Sequence, residues 1–139
     1  MRRNPILRIV SKFLIPLIIL FALYVQFHGD FGPGGGFQAG VIFSSALILY
    51  SLVFGLNAAE KIIPPHVLRI LASLGLVIYA GVGLITLMLG ANYLDYSVMG
   101  STQIKGQLLG ILLVELGVGI TVASVMLIIF FTFAGRDRQ

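Results

Sequence analysis

Residues whose type and spacing could do chemistry are few in this sequence. They concentrate in two places. The segment HGDFGPGGGFQAG, residues 28 to 40, gathers His28, Asp30, Pro33 and a cluster of glycines, and Glu115 stands alone in a long apolar run. A glycine-rich loop can cradle a phosphate, turn its carbonyls toward a cation, or let two helices approach closely. A carboxyl group among apolar residues can bind a cation or exchange a proton.

The phosphate reading fails on context. Gly34-Gly35-Gly36-Phe37-Gln38-Ala39 satisfies a G-x-G-x-x-A fingerprint, but that motif needs a preceding strand and a ribose-binding acid about 20 residues on. No Gly-Lys-Ser/Thr follows either, so a P-loop is excluded. Two readings stay open for the stretch. In one, Pro33, Gly34, Gly35 and Gly36 make a tight reversal, after which Phe37 opens a helix carrying Gly36, Gly40 and Ser44 on one face. Such a face lets a helix of a neighbouring subunit come close. In the other, the irregular backbone and Asp30 line a hydrated pocket and meet a cation, because unpaired backbone at membrane depth survives only within protein or beside water. His28 is either a proton relay or a side chain bonded to the last carbonyls of a helix.

Glu115 also has two readings. It is the one charge well inside an apolar run, which makes it an ion-path candidate. Alternatively it is a protonated side chain that binds a neighbouring helix by hydrogen bonding. Gly119 and Ala123 follow at helical spacing, so the carboxyl lies on a small-residue stripe and faces protein, not lipid. No basic residue of the chain shares its expected depth, so a charged partner is expected from another subunit. A further stripe, Gly75, Tyr79, Gly83, Thr86 and Gly90, is read as packing. No metal or cofactor is expected, and the absence of cysteine removes thiolate chemistry altogether.

The elements that must position these groups are membrane spans. With 58% hydrophobic and 10% charged residues, the 139-residue chain has too little polar surface to cover a water-soluble globule. Four apolar runs of about the length a bilayer requires lie at residues 10–27, 37–56, 67–89 and 108–133. The reading is an all-α integral membrane protein, one domain of four transmembrane helices, with the first run retained and not cleaved. The net charge of +4 does not mark nucleic-acid binding. Of the nine Lys and Arg residues, Arg2, Arg3, Arg8, Lys12, Lys61, Arg69, Arg136 and Arg138 fall on one side and only Lys105 on the other. By the positive-inside rule both termini are cytoplasmic, and residues 28–36 and 90–107 are external.

Together, PGGGF at residues 33–37, His28-Gly29 before it, Gln38-Ala39-Gly40 after it and four spans in a chain of this length resemble the MnhB or MrpB subunit of Mrp-type multi-subunit sodium/proton antiporters. The resemblance covers essentially the whole chain. It implies a transporter component, not an enzyme, in a hetero-oligomer of the prokaryotic plasma membrane. Its partners would be the other Mrp-type antiporter subunits and the lipid bilayer, with Na⁺ and H⁺ as the exchanged ions. Related modules occur in membrane-bound hydrogenases, which leaves the equivalent subunit of such a complex as an alternative. A purely structural assembly subunit is the other. The resemblance assigns no role to Glu115.

Overall fold

The computed structural model describes residues 5–29 and 34–136; Asp30 and Pro33, singled out above, lie outside the described residues. Five α-helices follow in order: α1 Pro5–Phe27, α2 Gly36–Phe54, α3 Leu56–Ile62, α4 Pro65–Met88 and α5 Gln103–Gly135. A 3₁₀ turn, Tyr96–Met99, precedes α5, and no strand occurs among the described residues. Helices α1, α2, α4 and α5 are long and apolar enough to cross a membrane.

Each boundary has a local cause. Helix α1 starts at Pro5, ahead of the expected residue 10, and the Arg8 guanidinium lies 5.4 Å from the centre of the Phe54 ring. Pro16 sits inside α1 without ending it, as spanning helices tolerate. The second apolar run breaks at Gly55, whose φ of 102° no ordinary side chain adopts readily, and α3 takes its last residue, Leu56, together with residues expected as connection. Pro64 and Pro65 open α4, where a missing N–H costs nothing. Thr102 caps α5, its hydroxyl accepting from the Lys105 N–H, so this helix starts five residues before the expected 108.

Helix α5 is the hub. It packs along α4 on one side and α2 on the other, and α1 packs on α2. Its 33 residues make it about 50 Å long. Lys105 and Arg136 stand near its two ends, about 46 Å apart, close to the headgroup-to-headgroup thickness of a bilayer. A cluster of Leu56, Ala59, Leu68, Leu127 and Phe131 closes the bundle at the α3 end. Helix α1 is the least covered of the four long helices, burying only Ser11, Ala22, Val25 and Gln26.

At the opposite end the 90–102 connection folds back onto the helices. Tyr93 lies on Gly83, and Tyr96 covers Gly110. Thr86 is fully buried; its hydroxyl accepts from Leu94 N–H at 3.0 Å and donates to the Gly83 carbonyl at 2.8 Å. Leu94 is held at a φ of 63°, outside the common range for its type. Burial, with Tyr79 and Tyr93 nearby, raises the Tyr96 phenol above its ordinary pKa. Tyr93 and Tyr96 thus pack against glycine faces.

Candidate ion-path site at the glycine turn

Glycine governs how close α2 can come to α5. A Cβ on Gly36 would run into the Glu115 carbonyl, and one on Gly40 would stand 2.7 Å from the Gly119 carbonyl. Glu115 and Gly119 are one helical turn apart, as are Gly36 and Gly40, so the two pairs fix α2 parallel to α5 in a single register. The stripe read from the sequence as a docking face for another subunit is therefore filled at Gly36 and Gly40 by α5 of the same chain. Ser44 continues it, buried, with its hydroxyl donating to the Val41 carbonyl at 2.8 Å. On the other side Gly75 and Gly117 bring α4 equally close, and the Thr121 hydroxyl donates to the Gly117 carbonyl at 2.9 Å.

This register carries the turn between α1 and α2 to the Glu115 carboxyl. A Cβ on either Gly29 or Gly35 would lie 3.0 Å from Glu115 Oε1. Gly35 adopts a φ of 113°, and its N–H donates to the Val25 carbonyl at the end of α1 at 3.3 Å. Gly34 sits against the same carbonyl, 3.0 Å from where its Cβ would be. Gly29, Gly34 and Gly35 thus form a close-packed backbone surface with a carboxyl group laid on it. Helix α2 begins at that surface without a side-chain cap of its own. The first N–H groups of a helix carry partial positive charge, which suits a carboxylate.

Depth follows from the same register. Glu115 lies twelve residues after Gln103, so Gly29 and Gly35 beside its carboxyl are recessed about 18 Å along α5 from its start. The sequence reading sets this turn level with the 90–107 connection outside the bilayer, and puts Glu115 about seven residues into its helix. The Thr102 cap lengthens the stretch of α5 before Glu115, and the α2–α5 register sets Gly29 and Gly35 level with the carboxyl.

The remaining candidates are dispersed around the turn. The His28 ring is exposed and stacked on Tyr24, with centroids 4.6 Å apart, and Phe37 is 64% exposed. His66 lies at the start of α4, in the other half of the bundle. Gln26 was not singled out by sequence reasoning. It is 7% exposed, with Oε1 against Gly119. An amide inside an otherwise apolar helix, two residues before His28, was the signal available.

Four helices long and apolar enough to cross a membrane, packed with the Glu115 carboxyl against Gly29 and Gly35, define a class: a polytopic membrane protein. The chain belongs to the MnhB family. The family model described as a domain related to the MnhB subunit of Na⁺/H⁺ antiporter matches residues 6–128. Proteins named provisionally as antiporter subunit mnhB2 in Staphylococcus aureus strains Newman and COL are each 33% identical over 139 residues, covering 97% of this chain and 98% of the relative.

Proposed function

We propose that this chain is a membrane subunit of a multi-subunit monovalent cation/proton antiporter of the prokaryotic plasma membrane, in which Na⁺ leaves the cell as H⁺ enters. Family membership and the names of its relatives support the antiporter assignment. The basic residues argue for cytoplasmic termini. Within that complex the chain shapes part of the ion route between larger subunits, and Glu115 is its titrating group. One observation carries this role: the Glu115 carboxyl rests on Gly29, just past the end of α1, and on Gly35, at the start of α2, a third of the way along α5. Helix N–H groups and dipole favour its charged form, and the surrounding apolar helices favour its neutral form. A carboxyl balanced in this way can take up and release a proton as a cation comes and goes. One such group does not make a relay, so the long charged paths belong to partner subunits.

Glu115→Gln is the test. Glutamine keeps the volume and the hydrogen bonding of a protonated Glu but cannot ionise. Exchange in everted vesicles is expected to fall at least about tenfold at equal complex abundance, as removal of a proton-transfer group typically costs 10² or more. An unchanged rate and pH profile would leave the chain a scaffold.

A further inference from the structure

A cavity of about 290 Å³ opens between the end of α1, the start of α2 and α4, floored by α5. Its lining includes Gln26, Gly119, Ala123, Ser124 and Leu127. On α5 its wall runs from Leu116, the residue after Glu115, to Leu127, and it reaches Leu68 at the α3 end of the bundle; Glu115 itself stands just beyond the lining. Nearly all of the lining is apolar, and a lipid chain would fit its shape. One group does not suit a lipid chain: Gln26 Nε2 is buried with no hydrogen-bond partner. A buried amide N–H left unpaired is costly, and an acyl chain offers it no acceptor. Water does, and at about 30 Å³ per molecule the cavity has room for several.

We propose that the Gln26 amide anchors water in this cavity, making it a hydrated vestibule that joins Glu115 to the α3 end of the bundle. A hydronium in the vestibule gives its proton to the Glu115 carboxylate, leaving water and a neutral carboxyl group; the reverse step releases the proton to the same water. The hydration stands on Gln26 and the cavity alone, whereas the proton step rests on the reading of Glu115 given above.

The chain has no cysteine, so a single Ala123→Cys substitution gives its only thiol, at the cavity wall. In the intact complex, a charged methanethiosulfonate applied from the α3 side is expected to label it. Adding Gln26→Leu, which keeps the bulk and removes the donor, is expected to slow labelling at least tenfold, and Gln26→Asn is expected to restore much of it. Absence of labelling, or a rate indifferent to Gln26→Leu, would overturn the proposal in favour of a dry or lipid-filled cavity. Exchange at equal complex abundance separates the second step. Labelling as expected with exchange unaffected by Gln26→Leu would refute the proton route while leaving the water in place.

Discussion

A single hydrogen replaced by a methyl group decides whether the site exists. Gly36 touches the Glu115 carbonyl so closely that a Cβ has no space, and both groups are backbone, which cannot swing aside. Gly36→Ala is expected to separate α2 from α5 and to destabilise the chain by about 1–3 kcal/mol, the usual range for overpacking. Gly81 is the control, since nothing lies within 4 Å of its Cβ position. Thermal denaturation of the detergent-solubilised protein should register a loss for Gly36→Ala and none for Gly81→Ala; equal behaviour would mean that the close contact is not formed. At this scale the sequence was informative in parts. Glu115 and the glycine run each stood out by type, but their meeting did not, because it depends on the α2–α5 register. The clue was present as two pairs with the same four-residue spacing, Gly36 with Gly40 and Glu115 with Gly119. Gln26 stayed hidden because burial of one amide is a tertiary fact.

Apolar length made the four long helices legible, and it failed where an interruption is conformational. Gly55 ends α2 through its backbone angle, and α3 forms in residues that the sequence reading leaves almost wholly as connection. The Thr102 cap was a readable start signal for α5, yet the polar residues 103–107 hid it. Connections can also carry structure that composition does not reveal, as Thr86 does in holding the 90–102 segment through Leu94. Thr86→Val keeps the shape of the buried side chain and deletes the acceptor. The expected cost is about 1 kcal/mol, the net value of a typical hydrogen bond. Hydrogen exchange at Leu94 should then quicken about fivefold, with the α4–α5 contact at Gly75 and Gly117 unaffected. An unchanged Leu94 rate would show that the clamp contributes nothing.

The whole bundle presents two ends of different character: α3 with Lys61 at one, and the folded 90–102 connection with Ser101 at the other. On the proposed topology, which rests on the basic-residue asymmetry, Lys61 is expected in the cytoplasm. Single cysteines at Lys61 and Ser101 should therefore label from opposite sides, Ser101→Cys from outside; the reverse pattern would invert the topology. The recess of the glycine turn then has an electrical consequence. Moving one charge across a membrane is worth about 2.3 kcal/mol per 100 mV. If the bundle is dry, a proton reaching Glu115 from the outer face crosses roughly a third of the voltage, which shifts its occupancy about fourfold per 100 mV. Water below the carboxyl makes the inner segment nearly equipotential and squeezes the drop into the outer third, pushing the shift toward about fiftyfold. Exchange measured against an imposed voltage should accordingly be steep in the native chain and shallow in Gln26→Leu. A wet vestibule would make this small subunit the place where the membrane potential is focused onto one carboxyl group.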